Sequence, residues 1–384
     1  MLPPAPAVSF LKYFLPISDP RRKCGKLHKL EKIIGLSVIA IMGRAETWSE
    51  IEQYGEYHQG WISNFLDLEN GIPSHDTFGR VFSMLDPKEF QECFVNWVES
   101  LRKHVSSEIV SIDGKTLRRS FDKANGTLPF HIVSAWSNEN ELSLGQQQVD
   151  KKSNEITAIP RLLKLLALKG CIVTIDAMGC QKDITKEIRD KKADYVLTLK
   201  SNQRNLRDRA ESFFNEHQKT DFKDLKHEFY ESKNNSHGRE EHRKYYLTTN
   251  INFLKPFDGW TDIKSVGMVV ASRAVKGVTS TSIRYFISSL KQGSISDFSR
   301  AVRCHWGIEN KLHWTLDVCM REDLCRVRKN YAAQNFAALR KIALNFIKTE
   351  KSTNKSFRSK KFRASCQPEY LIACLINKNI NDLK

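Results

Sequence analysis

The sequence predicts an α/β fold: a mixed sheet interleaved with helices, carrying a β-rich insertion and preceded by an all-helical N-terminal domain. Three observations predict it. From Leu27 to about Leu101 the apolar residues recur at helical spacing. From Glu108 the texture changes to short β-branched runs alternating with amphipathic segments. Two of those runs, Ile109–Ile112 and Cys171–Ile175, close on an acid, Asp113 and Asp176.

Taken in order, residues 1–26 read as an irregular, proline-rich start that ends in the basic run Arg21-Arg-Lys23. Leu27, Leu30, Ile33, Ile34 and Val38 mark a first helix, which Gly43 ends. Glu46–Tyr57 and Trp61–Leu68 read as two short helices. Gly71-Ile-Pro-Ser-His-Asp-Thr77 is a turn leading into an N-cap, Ser74 or Asp76. The helix after it buries Phe78, Val81, Phe82 and Leu85, and Pro87 begins another that buries Phe90, Phe94, Trp97 and Val98. This module fits two roles equally: helix-turn-helix DNA binding through His75 and Arg80, or packing on the sheet domain alone.

Ile109–Asp113, Phe130–Trp136 and Leu142–Val149 read as three strands of a meander. An amphipathic helix, Glu155–Leu168, follows, interrupted by Pro160. Next come the strand ending at Asp176, a helix from about Gln181 to Lys191, the strand Tyr195–Leu199 and a helix from Gln203 to about Glu216. Residues 218–293 are polar at first, then offer strands at Lys244–Thr248, Val266–Ser272 and Ile283–Ser289. This is the β-rich insertion. Helical pattern returns at Ser296 and runs, with breaks, to Ile347. Lys351–Arg363 holds six Lys or Arg and no acid, and reads as a flexible basic segment. The expected domains are therefore a basic N-terminus (1–26), a helical N-terminal domain (27–104), a sheet domain (105–348) with its insertion at about 218–293, and a basic C-terminal tail (349–384).

Composition narrows the partner. The 384 residues carry 61 Lys and Arg against 44 Asp and Glu, a net charge of +17. That excess favours a polyanion, nucleic acid ahead of an anionic membrane surface. The longest apolar run, Ile33–Met42, is broken by Gly35 and Ser37 and is too short to span a bilayer. The opening Met1-Leu-Pro-Pro-Ala-Pro has no basic region before an apolar stretch, so it does not read as a secretory signal. Nine scattered cysteines suggest reduced thiols in a cytosol. Cys304, Cys319 and Cys325 match no zinc-finger spacing.

The chemistry centres on the strand-end acids. After Asp113, Gly114 lets the backbone turn, and Lys115, Arg118 and Arg119 follow. A carboxylate at the tip of a core strand beside cations makes poor packing. It makes sense where the acid holds a divalent metal and the cations meet phosphates. Lys200 and Arg239 join the candidate phosphate contacts, Arg239 because Gly238 beside it permits close backbone approach. The plain alternative for each is an ordinary surface cation.

A third acid comes from Arg303-Cys-His-Trp-Gly-Ile-Glu-Asn-Lys-Leu-His-Trp-Thr-Leu-Asp317. At helical spacing Cys304, Ile308, Leu312 and Cys319 form an apolar stripe. His305, Glu309, His313 and Asp317 form a second stripe beside it, which puts Glu309 at the border of the buried face. Trp306 and Trp314 flank this stripe and could stack on bases. Three readings compete. Glu309 completes a three-carboxylate metal site with Asp113 and Asp176; or His305, Glu309 and His313 bind a transition metal; or Glu309 pairs with Lys311 or Arg303. Two strand-end aspartates already in hand favour the first.

Over nearly its whole length the chain resembles the bacterial insertion-sequence transposases with a DDE triad, specifically the H-repeat-associated group. The resemblance rests on Ile112-Asp-Gly-Lys-Thr-Leu-Arg118, Lys152-Ser-Asn-Glu-Ile-Thr-Ala158, Thr174-Ile-Asp-Ala-Met-Gly-Cys-Gln-Lys182, Ser236-His-Gly-Arg-Glu240 and His305-Trp-Gly-Ile-Glu-Asn-Lys-Leu-His-Trp314, with Gly71–Thr77 also fitting. It implies an RNase H-like fold and a catalytic, metal-binding Asp113, Asp176 and Glu309. It implies Mg²⁺ as cofactor, Mn²⁺ substituting, with two ions expected from the chemistry of phosphodiester cleavage. The implied partner is double-stranded DNA, as terminal inverted repeats and target, bound by a homodimer in the bacterial cytoplasm beside the nucleoid. His305, Trp306 and Lys311 join Lys115, Arg118, Arg119, Lys200 and Arg239 as expected DNA contacts. One departure stands out: Val302 and His305 occupy places where the glutamate helix of the wider superfamily commonly carries Tyr and Arg. Two alternatives accompany this reading, a catalytically inactive relative that binds DNA without cutting it and a metal-dependent nuclease of RNase H type.

Overall fold

The structure, a computed structural model, describes residues 9–22, 24, 26–121, 128–150, 153–236, 239–254, 259–275 and 278–376. In chain order the elements are α1 (Leu30–Met42), α2 (Trp48–Ile62), α3 (His75–Met84), α4 (Pro87–Leu101), β1 (Ile109–Leu117), β2 (Phe130–Ser137), β3 (Leu142–Gln148) and α5 (Glu155–Leu165). There follow β4 (Ile172–Ile175), α6 (Lys182–Asp190), β5 (Asp194–Leu199), α7 (Arg204–Gln218), β6 (Glu228–Ser236), β7 (Arg239–Thr248), β8 (Ser265–Val275) and β9 (Val278–Ser288). The chain closes with α8 (Ile295–Cys304), a π-helical turn (Ile308–His313), α9 (Trp314–Met320), α10 (Ala332–Thr349), α11 (Phe357–Cys366) and α12 (Pro368–Ile376).

These elements gather into two compact units: residues 1–103, 114–152 and 309–384 form the first, and residues 104–113 and 153–308 the second. The second unit holds the mixed sheet that the alternating pattern predicts, ordered β1-β4-β5-β9-β8-β7-β6. β1, β4 and β5 run parallel. β9 joins β5 antiparallel, from Val196 opposite Ser288 to Leu199 opposite Tyr285. The region expected as an insertion therefore continues the central sheet. Its strands are longer than predicted, and β6 was not predicted at all. The reason lies in its composition: Glu228–Ser236 is an edge strand of mostly exposed polar residues with no apolar alternation to read.

One face of this sheet is covered by α8. Phe298, Ala301 and Val302 pack on Ile109, Ile172, Val196, Tyr245, Val269 and Phe286 in a single cluster. Gly267 makes room for the Phe298 ring, because a Cβ there would lie 2.2 Å from it. α8 thus delivers its C-terminal end to the face that Ile109, Ser111 and Asp113 share by strand alternation.

The first unit is built on α10. Residues Ala332–Ile347 of this helix are all buried. Asn345 exchanges two hydrogen bonds of 2.9 Å with the Ser143 backbone of the β2–β3 hairpin. Asn335 donates to the Phe82 and Leu85 carbonyls at the end of α3. The N-terminal helices accordingly share one core with α10 and the hairpin, and residues 27–104 fall within a larger compact unit.

Local signals explain most boundaries. Thr47, Ser74 and Asp86 cap α2, α3 and α4 by accepting backbone N–H bonds, and Pro87 takes the first position of α4. Four expectations need correction. The start of the chain is not wholly irregular: Ser9–Phe14 forms a 3₁₀ turn whose Phe10 and Phe14 are buried, Phe10 meeting Trp97 and Phe346. The two helices expected between Glu46 and Leu68 are the single α2, continuous through Gly60, which costs only about 1 kcal/mol in a helix. β1 does not turn at Gly114 but continues to Leu117, whose side chain is buried. The flexible basic tail is instead α11 and α12. Lys360 and Lys361 are buried there, Lys360 beside Glu350 and Lys361 donating to the Cys319 carbonyl, so part of the charge run is structural.

Candidate active site

Ile112 stands opposite Ile175 in the parallel pairing of β1 and β4. Asp113 and Asp176 each come one residue later, so the register places the two acids at neighbouring positions where the β1–β4 pairing ends. The C-terminal edge of the strands is the usual place for ligands in parallel α/β sheets. Asp113 lies within the extended β1, whereas Asp176 ends β4 and caps the 3₁₀ turn Ala177–Gly179, its Oδ1 accepting from the Gly179 N–H at 3.3 Å. The turn is tight: a Cβ on Gly179 would lie 2.2 Å from Ile175 Cγ2. Burial, and after it the charge of Glu155, pushes the Asp176 carboxyl above its ordinary range.

Beneath the acids lies a polar layer. Ser111 and Thr174 are register partners and each precedes its aspartate by two residues, so they share its face. Thr174 Oγ1 donates to Ser111 Oγ at 3.2 Å, and Ser111 Oγ donates to the Cys304 carbonyl at the end of α8 at 3.3 Å. His305, the next residue, sets Nδ1 3.2 Å from Thr174 Oγ1. Burial, then Arg284 and Lys200, push its imidazole down to about 4, so it is neutral. His305 is thus half-buried and packed through Thr174 beneath the acid positions, a placement the sequence, which offered it as a DNA contact, did not suggest. Its closeness to α8's end, not helical spacing, decides this.

Two aspartates at neighbouring positions, one strained by burial and a like charge, form an oxygen donor set suited to a hard divalent cation. That is the sense in which these residues fit such an ion. Among the described residues no group of three or more His, Cys, Asp or Glu is gathered to hold a metal. The same holds for His305, Glu309 and His313, for Cys304, Cys319 and Cys325, and for Asp113, Asp176 and Glu309.

Glu309 opens the first unit's returning segment, on the π-helical turn. The sequence placed it at the border of the buried face; here it is exposed. α8 ends at Cys304 and the chain turns at residues 305–306 before Glu309 is reached, so a 100° wheel drawn through Arg303–Asp317 does not carry across that break. Ile308, Leu312 and Leu316 are buried, and so is His313, pushed down to about 3 by burial and then by Lys115 and Lys341. The pairing of Glu309 with Lys311 or Arg303 does not occur: Lys311 donates to Glu141 at 2.7 Å and Arg303 lies 3.4 Å from Glu241.

The clearest correction concerns Lys115. It was expected to meet phosphates, yet its ammonium is 11% exposed and donates to Asp317 and, at 2.7 Å, to Glu322. Burial would raise Glu322, but Lys115, Lys341 and Arg340 outweigh it and hold the carboxyl down at about 2. Lys115, in the part of β1 that belongs to the first unit, is thereby tied to α9 and the turn after it within that unit. Arg118 is exposed and lies 3.4 Å from Asp323, while the Arg119 carbonyl accepts from Arg328. Lys200 follows β5 at the same sheet edge as Asp176, and its charge acts on both Asp176 and His305. Arg239 is exposed at the start of β7, opposite Val275. Since β9 continues past Tyr285 to Val278, the hairpin tips carrying Arg239 overhang that edge; Gly238 lies outside the described residues. Trp306 and Trp314 are half exposed, at 51% and 55%.

Sequence reasoning gave no role to Ser111 and Thr174, and weighed Glu322 only as a substitute for Glu309. The first two had a readable signal: each is a hydroxyl two residues before an acid in a short β-branched run. The pairing of Glu322 with Lys115 had none, since the two are more than 200 residues apart.

Comparison with known proteins follows this geometry. The family model for the Transposase DDE domain matches residues 105–346, and the DDE_Tnp_1-associated model matches residues 11–98. The chain is 39% identical over 370 residues to "Putative protein YbfL" of Escherichia coli K12, covering 95% of this chain and 97% of that one. It is 38% identical over 370 residues to "H repeat-associated putative transposase YhhI" of the same strain, with the same coverage. It is 40% identical over 367 residues to "Putative transposase YncI" of E. coli O157:H7, covering 94% and 93%. Among the described residues no helix is long and apolar enough to cross a membrane.

Proposed function

This chain belongs to the DDE transposases, in their H-repeat-associated group, and from that membership we propose that it cleaves and transfers DNA strands at the ends of an insertion element. Its mixed α/β sheet is the RNase H-like fold of that family. The observation that carries the proposal is the registered pair Asp113 and Asp176 at one sheet edge. In this reading the pair holds Mg²⁺, or Mn²⁺ in its place, with Glu309 as the third ligand supplied by the helical segment. Two such ions would activate the attacking oxygen and neutralise the departing one.

The chain's own residues do the rest. Gly179 N–H orients the Asp176 carboxylate, and the Ser111–Thr174–His305 layer fixes the strands beneath both acids. Lys115 restrains the segment bearing Glu309 by holding Asp317 and Glu322. Lys200 and Arg239 meet backbone phosphates at the same edge. The DNA is double-stranded, the terminal inverted repeats and a target, and a homodimer holds the two ends together in the bacterial cytoplasm.

One observation favours the second reading, an inactive relative that binds DNA without cutting. Glu309 is exposed, and the described residues contain no three-ligand cluster. Calorimetric titration with Mn²⁺ separates the two. The proposal expects binding that Asp113→Asn or Asp176→Asn removes; absence of binding in the unaltered protein, even with DNA present, would favour the inactive relative.

A further inference from the structure

The first unit contains a cavity of about 1140 Å³ whose lining is strongly cationic. It lies between α2, α3, the start of α10 and the irregular segment 321–330, and none of its lining residues belongs to the second unit with its aspartate pair. Arg80, Arg321, Arg326, Arg328, Lys329 and Arg340 line it against only two acids, Glu46 and Asp76.

Three of these cations are committed within the fold. Arg340 is buried over the Phe336 ring and reaches the Glu46 carbonyl. Arg321 pairs with the Glu46 carboxylate at 3.4 Å. Arg328 donates to the Arg119 carbonyl and lies over the Phe121 ring. The other three are exposed and, among the described residues, none pairs with a carboxylate: Arg80 reaches only Thr77 Oγ1 at 3.4 Å. Of the two lining acids Glu46 pairs with Arg321 and Asp76 pairs with none of the cavity cations among the described residues, so Arg80, Arg326 and Lys329 face the cavity without a carboxylate partner. Like charges gathered this way repel each other unless an anion comes between them.

The size decides what kind of anion. A cube of that volume spans roughly 10 Å, enough for about two successive phosphates of one strand, whose 3.4 Å rise along the axis is lengthened by the winding of the backbone. Three free cations over that span match a backbone segment better than a single phosphate group. Committed arginines behind them fix the wall. We propose that this cavity is a phosphate-backbone site for double-stranded DNA, formed by Arg80 of α3 with Arg326 and Lys329 of the following segment. The proposal rests on the transposase reading and adds where the N-terminal helices meet the duplex.

The test uses the full chain without divalent ion, so that binding is read apart from cleavage. A fluorescent duplex of about 30 base pairs is titrated by anisotropy across roughly 50 to 200 mM salt. The probe protein is compared with the triple variant Arg80→Ala, Arg326→Ala, Lys329→Ala and with a charge-retaining form, Arg80→Lys and Arg326→Lys. Loss of these phosphate contacts lowers the slope of log K against log salt by about 0.9 for each phosphate, and the lysine form keeps most of the slope. A triple variant with unchanged thermal midpoint, affinity and slope would overturn the cavity assignment while leaving the transposase reading in place. Failure of the unaltered protein to bind duplex at all would overturn both. Loss of single-stranded RNA binding with duplex binding intact would overturn the DNA assignment.

Discussion

Replacing Lys115 by Met separates the structural account from the simplest reading of the Asp-Gly-Lys sequence. In the structure the ammonium is 11% exposed and its partner Glu322 is 1% exposed, with 2.7 Å between them. Met keeps most of the side-chain volume and removes the charge, which leaves Glu322 buried without its largest favourable partner. Removing one member of a buried ion pair costs about 3–5 kcal/mol. Lys115 is the largest of the cations that hold the Glu322 carboxyl down against its burial, with Lys341 and Arg340 after it, so the loss falls at the lower end of that range. The assay is urea unfolding followed by tryptophan fluorescence. Trp48, Trp61, Trp97, Trp136 and Trp314 all lie in the first unit, so its transition dominates the signal. We expect Lys115→Met to lose about 3 kcal/mol, and the double variant Lys115→Met/Glu322→Gln to recover about half, since removing both charges removes the uncompensated one. If Lys115→Met stays within about 0.5 kcal/mol of the parent while its DNA salt slope falls by about 0.9, Lys115 is a phosphate contact and the clamp is wrong.

Three further outcomes follow from the same geometry. Glu322 has a depressed folded pKa, so its contribution is present above about 4.5 and is lost as pH falls through about 2; acid titration of unfolding stability should show that limb, about 3 kcal/mol deep, and Glu322→Gln should lack it. A variant that retains the whole limb would assign it to other carboxylates. His305→Ala should destabilise by about 1–3 kcal/mol and slow strand cleavage while leaving DNA affinity unchanged, with His305→Asn restoring part of both; weakened DNA binding with normal stability would return His305 to the role of a DNA contact. Gly267→Ala should cost about 1–3 kcal/mol by driving a methyl group into Phe298, measured as a lower thermal midpoint; an unchanged midpoint would mean α8 shifts freely on its sheet.

The parts of this molecule that were legible are those fixed by local physics. β-branched runs ending in acids gave β1 and β4, helical spacing gave α1, α3 and α4, and Ser74 stood out as a cap because its oxygen meets an N–H three residues on. What was hidden depends on distant partners or on polar surfaces. Lys115 looks like a phosphate-binding cation because nothing near it in sequence reveals Asp317 and Glu322. β6 carries no apolar alternation because it is an edge strand. Glu309 was misplaced because a helical wheel assumes one uninterrupted helix, and the turn at residues 305–306 after α8 breaks that assumption. The basic run after Lys351 reads as flexible because charge density alone does not show Lys360 buried beside Glu350.

The central claim is that Asp113, Asp176 and Glu309 carry metal-dependent DNA strand cleavage. The measurement that tests it most directly incubates the protein and Mg²⁺ or Mn²⁺ with DNA containing this gene's own flanks, and maps the strand ends to the nucleotide. Asp113→Asn, Asp176→Asn and Glu309→Gln run alongside. The account predicts metal-dependent breaks at the two element boundaries, reduced by about 10³-fold or more in each variant, a barrier difference of about 4 kcal/mol, with DNA binding retained. Breaks that persist in Glu309→Gln would remove the glutamate from the site. DNA bound by every form and cut by none would contradict the claim and identify an inactive relative.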